Sequence, residues 1–158
     1  MAFIDFDKVY KIYTTGLRAL QNVTLSIEVG EFIFCVGPTG AGKTTLMKLL
    51  TREEFPTSGD IWFEDFRINQ LDDAYLPFLR RNIGIVFQDL KLIPSRTVLE
   101  NLVIPLHIMG VRKAVIGDLA DRVLNMLGLE NKKHHLAEWL SGGEKQKLGI
   151  GRALIHRP

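Results

Sequence analysis

The chain has 158 residues, 46% of them apolar and 24% charged, with a formal net charge of +2. That length suits one domain with a sizeable core, and the composition is that of an ordinary globular protein. A charge so near balance, with basic residues spread along the chain and no aromatic-basic stripe, argues against a nucleic-acid partner.

The single cysteine, Cys35, excludes an internal disulfide and accords with a reducing compartment. Asp5 and Asp7 stand where a signal peptide would be apolar. The longest apolar run, residues 102–109, is broken by Pro105 and His107 and is too short for a bilayer. The expectation is a cytosolic chain, held at a membrane only by a partner.

Residues 3–13 alternate well enough for a strand, and after a turn at Thr14-Thr15-Gly16 a second strand runs from Leu20 to Ile27. The turn Val29-Gly30-Glu31 leads into Phe32-Ile33-Phe34-Cys35-Val36, expected to be a buried strand with Cys35 an inert core residue. Next come Gly37-Pro38-Thr39-Gly40-Ala41-Gly42-Lys43-Thr44-Thr45 and a helical pattern over residues 46–50. Strand, glycine loop, Gly-Lys-Thr and helix, in that order, predict a phosphate-binding loop for a nucleoside triphosphate; an ordinary glycine-rich turn does not require the full spacing. Gly37, Gly40 and Gly42 are free to take positive φ and, lacking Cβ, to curl round an anion. Successive N–H groups and the positive end of the helix dipole then face it. Lys43 is placed to reach the β/γ-phosphates, the Thr44 hydroxyl to ligate Mg²⁺, and Thr45 to hydrogen-bond the α-phosphate.

Residues 58–64 read as a strand and residues 71–81 as a short helix interrupted by Pro77. Residues 82–87 read as a buried parallel strand ending at Gln88-Asp89, so that an amide emerges where open α/β sheets bind ligands. Thr97 and Glu100 have capping-box spacing and predict a helix that Pro105 ends or kinks. Val115, Leu119, Val123 and Leu127 recur at every fourth position, predicting an amphipathic helix over residues 112–127 that stops at Gly128. Ser141 and Glu144 form a second capping box, opening a helix through Ile155. By spacing alone a plain cap is the commoner reading. With Gly142 and Gly143, the same N-terminus exposes N–H groups and a positive dipole, which makes a second anion site the other.

Together these motifs resemble, in order and spacing and over nearly the whole chain, those of the ABC (ATP-binding cassette) ATPases. Residues 37–45 resemble Walker A, Phe87-Gln88-Asp89 the Q-loop, and Leu140-Ser141-Gly142-Gly143-Glu144 the signature. Residues 78–89 with Leu92 and Arg96-Thr97-Val98, and the opening Phe6-x-x-Val9-x-Lys11-x-Tyr13, are similar to the bacterial cell-division branch. Lipoprotein-releasing and macrolide-exporting ATPases are the alternative branches. The resemblance implies an α/β fold: a P-loop NTPase (RecA-like) core, an N-terminal antiparallel β-subdomain and an α-helical subdomain. In one domain these would occupy residues 31–88, 1–30 and 89–140, with residues 141–158 as the signature helix.

The resemblance also implies ATP and Mg²⁺ as cofactors. Tyr13, with Tyr10 as its competitor, would stack on adenine; Gln88 would complete the Mg²⁺ shell and sense the γ-phosphate. Ser141, Gly142 and Gly143, with Glu144, would contact the γ-phosphate held by a second copy in an ATP-bound homodimer. An integral membrane permease would hold the subunit at the cytoplasmic side of the cell membrane. Lys147, Gly149 and Gly151 depart from the family pattern, the glycines costing a helix roughly 1 kcal/mol each relative to alanine. The pattern continues past His156-Arg157-Pro158 into the Walker B strand, so the final core strands, the Mg²⁺-binding Asp, the catalytic Glu, the D-loop and the switch His are expected to be missing; none of His107, His134, His135 or His156 stands at the switch position. Weak ATP binding, negligible hydrolysis and an open apolar edge follow from that expectation, as does the alternative of a non-catalytic ATP-binding fragment.

Overall fold

A computed structural model describes residues 2–158, in two compact units divided between Leu79 and Arg80. The first unit is built on an antiparallel sheet. β1 (Ile4–Ile12) pairs with β2 (Arg18–Ile27) and with β3 (Ser58–Phe63), and β4 (Phe66–Arg67) adds to β3, giving the order β2-β1-β3-β4. Phe6 and Val9 are both fully buried although they lie three apart, which strict alternation forbids. A bulge between them supplies the reason: Lys8 sits at φ 48°, and the register against β2 shifts between Phe6 and Val9. α1 (Lys43–Leu50) packs on β2 and β3 and buries Leu49 and Leu50. In α2 (Leu76–Arg81) Pro77 lies in the first turn, where a missing N–H is harmless, so the proline opens this helix and does not interrupt it.

Two expected strands are not formed. Residues 32–36 pair with no strand among the described residues. Phe32, Phe34 and Val36 are 83%, 77% and 86% exposed, and Cys35 is an exposed thiol in place of the expected core residue. Apolar, β-branched and aromatic composition inclines a run toward a sheet, but only a neighbour's N–H and C=O groups make it a strand.

The second unit is helical. α3 (Val98–Ile108), α4 (Lys113–Leu127) and α5 (Gly142–Leu154) enclose a core that includes Leu102, Leu106, Ile116, Ala120, Leu124 and Leu148. Residues 82–87, expected as a buried parallel strand, instead pass beside the end of α5. A Cβ on Gly84 would run into the Ala153 carbonyl, and Val86 and Phe87 are exposed. The Thr97 capping box is present: the Thr97 hydroxyl accepts from the Glu100 N–H at 3.1 Å, and the Glu100 carboxylate accepts from the Thr97 N–H at 2.7 Å. Pro105 does not end α3. The helix continues to Ile108, and the Met109 N–H still donates to the Pro105 carbonyl at 3.0 Å. Buried Asn101 ties the preceding loop to this helix, its amide donating to the Ile93 and Thr97 carbonyls, each at 3.0 Å, and accepting from the Ile93 N–H at 2.8 Å.

α4 stops at Gly128 (φ 66°) as its pattern predicts, but its buried row is Ile116, Ala120 and Leu124. Leu119, Val123 and Leu127 flank that row, and Val115 turns outward. The two rows lie about 100° apart on the helix, and only the neighbouring helices select between them. The two unexpected glycines of α5 also find a reason in packing. A Cβ on Gly151 would lie 3.2 Å from Leu102 and from Val123, and closer to Leu127; one on Gly149 would lie 3.1 Å from Leu90. Close approach offsets the helix propensity they forgo.

Candidate functional site

In the first unit, Gly42 is the N-cap of α1 at φ 88°, and no side chain caps this helix. Its first-turn N–H groups therefore present the positive end of the helix dipole without a side-chain acceptor. Lys43, the first helical residue, folds its ammonium back over the loop, donating to the Gly37 carbonyl at 2.7 Å and the Pro38 carbonyl at 2.8 Å. The loop is closed by the Ala41 N–H on the Pro38 carbonyl at 3.2 Å. Gly40 also takes positive φ (83°), whereas Gly37 does not. No carboxylate pairs with Lys43 among the described residues, so its charge rests on two neutral carbonyls. Thr39, Ala41 and Thr44 are exposed. Thr45 is buried, its hydroxyl 3.2 Å from that of Tyr13. Tyr13 is half-buried just past β1, and the Lys11 ammonium, paired with Glu54 at 2.8 Å, lies 4.9 Å over its ring. Loop, lysine and tyrosine are thus brought together, whereas Tyr10, three residues earlier within β1, lies at the surface.

In the second unit, Gln88 and Asp89 occupy the centre of a tight turn closed by the Leu90 N–H on the Phe87 carbonyl at 2.9 Å, with the Gln88 side chain exposed. At the start of α5 the second capping box is present. The Ser141 N–H and hydroxyl each donate to the Glu144 carboxylate at 2.9 Å, and the Glu144 N–H reaches the Ser141 hydroxyl at 3.4 Å. Lys132 binds the other carboxylate oxygen. Gly142 and Gly143 are exposed, and a Cβ on either would meet nothing within 4 Å. Packing inside the unit therefore does not call for glycine here; what the pair achieves is a capped helix whose first two positions carry no side chain.

The Lys132 hydrogen bond first, then those from the Ser141 backbone and hydroxyl, pull the Glu144 pKa down from 4.5 to about 2. A carboxyl group whose pKa is lower in the folded state stabilises that state above its unfolded pKa. The contribution is complete above pH 4.5 and is lost as the pH falls from there toward 2. Acid unfolding followed by circular dichroism should be steeper across that window in the wild type than in Glu144→Gln; parallel profiles would remove the ion pair from the account.

Lys132 and Arg152 escape sequence reasoning, because neither partner is near in sequence. Lys132 lies twelve residues before Glu144, and Arg152 donates to the Lys91 carbonyl across 61 residues. The described residues include no group of three or more His, Cys, Asp or Glu placed to hold a metal, and no helix long and apolar enough to cross a membrane.

Residues 20–158 match the family model described as ABC transporter. The chain is 40% identical over 155 residues to the cell division ATP-binding protein FtsE of Bacillus subtilis (strain 168), across 98% of this chain and 68% of that one. With FtsE of Escherichia coli (strain K12) the identity is 43% over 155 residues, across 98% of this chain and 70% of that one. Among solved structures, it is similar to the dimeric post-hydrolysis state of the ATP-binding cassette MJ0796 bound to ADP and Pi. The TM-score is 0.89 at 36% identity, across 98% of this chain and 70% of that one.

Proposed function

The chain belongs to the ABC transporter family, and on that premise we propose that it is the ATP-binding subunit of a cell-division complex whose integral membrane partner is an FtsX-like permease. The observation that carries this reading is the cradle at residues 37–45, where an ammonium without a carboxylate partner and an uncapped helix N-terminus share one loop. In the proposed complex the ATP phosphates take the place of the Gly37 and Pro38 carbonyls on Lys43. Two neutral acceptors are exchanged for charged ones, so that each bond joins opposite charges and is the stronger for it. The N–H groups of Gly40 and Gly42 and of the first turn of α1 complete the anion site. Tyr13, positioned by Thr45 and Lys11, offers its ring to adenine.

A hard cation that dehydrates reluctantly needs only one or two protein oxygens besides the phosphates. The exposed Thr44 hydroxyl is such an oxygen, and the Gln88 amide carbonyl is the second we assign to Mg²⁺; the ion would neutralise charge developing on the β- and γ-phosphates. Lys43 and Gln88 are the residues of this chain assigned to the transferring phosphoryl group. Ser141, Gly142 and Gly143, held in shape by Glu144, would contact the γ-phosphate bound to a second copy, so that ATP closes a homodimer. The subunit would lie peripherally on the cytoplasmic side of the membrane, with residues 1–30, 31–88, 89–140 and 141–158 as β-subdomain, P-loop core, helical subdomain and signature helix. An exporter ATPase would share each step and differ in its permease.

The test is light scattering of the purified chain with MgATP and with ADP, together with isolation from membranes of its source cells. A monomer-to-dimer shift with MgATP alone, absent in Ser141→Phe, and a co-isolated division permease are expected. A chain that binds no nucleotide would overturn the proposal, and an exporter permease in the isolate would redirect it to the alternative branch.

A further inference from the structure

We infer that Arg152 is a positioning residue that clamps the turn carrying Gln88 onto the helix that opens with Ser141, and that Gly149 completes the clamp. The role assumed for Gln88 rests on the function proposed above; the clamp itself rests on geometry within the second unit. Leu90 and Lys91, the second and third residues after Gln88, both lie at positive φ (55° and 45°), a conformation that side chains other than glycine rarely adopt. Two consecutive residues of this kind persist only where the surroundings over-determine them. The surroundings here are the turn's own bonds, with the Lys91 N–H on the Asp89 carbonyl at 2.7 Å, and one face of α5. The Arg152 guanidinium donates to the Lys91 carbonyl at 2.8 Å and, through its other terminal nitrogen, to the Leu90 carbonyl. A planar fork matches two adjacent carbonyls as a single ammonium cannot. Three residues earlier on the same helix face, Gly149 leaves the space that the Leu90 side chain fills.

The consequence is mechanical. Gln88 and Asp89 sit at the centre of the turn whose exit Arg152 holds. The opposite end of α5 presents Ser141, Gly142 and Gly143. A displacement of the Gln88 turn must therefore carry α5 with it or break the fork, so the turn and the signature residues move as one body. The clamp acts on nucleotide through the position of Gln88.

The test compares wild type, Gln88→Ala, Arg152→Met, Arg152→Lys, Gly149→Ala and the Gln88→Ala/Arg152→Met double variant. For each, calorimetry gives the preference for MgATP over ADP without metal, and hydrogen exchange gives the protection of residues 88–92 and of residues 145–150. Arg152→Met should accelerate exchange at residues 88–92 about 100-fold, the size of two lost charge-assisted hydrogen bonds, while residues 145–150 stay protected. It should lower the MgATP preference about as much as Gln88→Ala does, and the double variant should lose no more than either single one. Arg152→Lys, which keeps one donor, and Gly149→Ala, which displaces Leu90, should fall between wild type and Arg152→Met; they carry the comparison if Arg152→Met does not fold. Unchanged exchange at residues 88–92, uniformly faster exchange across the unit, or additive losses in the double variant would overturn the clamp. A Gln88→Ala variant with unaltered preference would instead overturn the role proposed for Gln88, and the inferred route from Arg152 to nucleotide would fall with it.

Discussion

Replacing Gly42 with alanine is expected to destabilise the first unit by roughly 2–6 kcal/mol, from two terms of about 1–3 kcal/mol each. One is backbone strain, because Gly42 holds φ 88°, where a Cβ is unwelcome. The other is steric, because that Cβ would press into the backbone carbonyl of Ala19 and the side chain of Leu20 on β2. A backbone carbonyl in a paired strand cannot swing aside as a side-chain end does. Gly40→Ala is the control: its φ is 83°, but a Cβ there meets nothing within 4 Å. Only the strain term should remain, about 1–2 kcal/mol. Urea unfolding of the two variants beside wild type separates the terms. Equal losses would mean that the approach of the loop to β2 contributes nothing.

Lys43→Ala is expected to weaken MgATP binding about 100-fold while leaving the unfolding midpoint nearly unchanged. Its ammonium makes two exposed hydrogen bonds to carbonyls, which contribute little to folding. Against phosphate oxygens the charged donor meets a charged acceptor, at roughly 1.5–3 kcal/mol for each such bond, and about 1.4 kcal/mol is a factor of ten in affinity. Lys43→Arg should not restore binding, because a broad planar fork does not fit a loop drawn tight around a compact ammonium. Calorimetric titration with MgATP measures the loss, and an affinity within a few-fold of wild type in Lys43→Ala would remove the cradle from the proposed site.

Much of the candidate site was legible because its rules are local. Gly-x-x-x-x-Gly-Lys-Thr, the two capping boxes at Thr97 and Ser141, and the stop at Gly128 each concern residues within one or two turns of each other. A side-chain oxygen three residues from the N–H it accepts needs no knowledge of the rest of the chain. The hairpin of β1 and β2 was legible for the same reason, since its partners adjoin a short turn.

Every question whose answer lies on another element was left to packing. Residues 32–36 and 82–87 have the composition of buried strands, yet pairing is a property of two segments, and the described residues offer neither a partner strand. The stripe of α4 was placed one position off because Val115 and Ile116 are equally apolar and only α3 and α5 select the inner one. Gly149 and Gly151 are liabilities by helix propensity alone, and their reason lies on other segments, in the Leu90, Leu102, Val123 and Leu127 side chains that crowd the space of a Cβ. Arg152 carried no signal at all, because its acceptors are backbone carbonyls 61 and 62 residues away, and a carbonyl is the same at every position of a sequence. The glycine loop, the caps and the helix ends were readable from spacing, where interaction range is a few residues. Which runs pair, which face is inside and what holds the Gln88 turn were settled by packing, because these depend on distances between segments that no local spacing encodes.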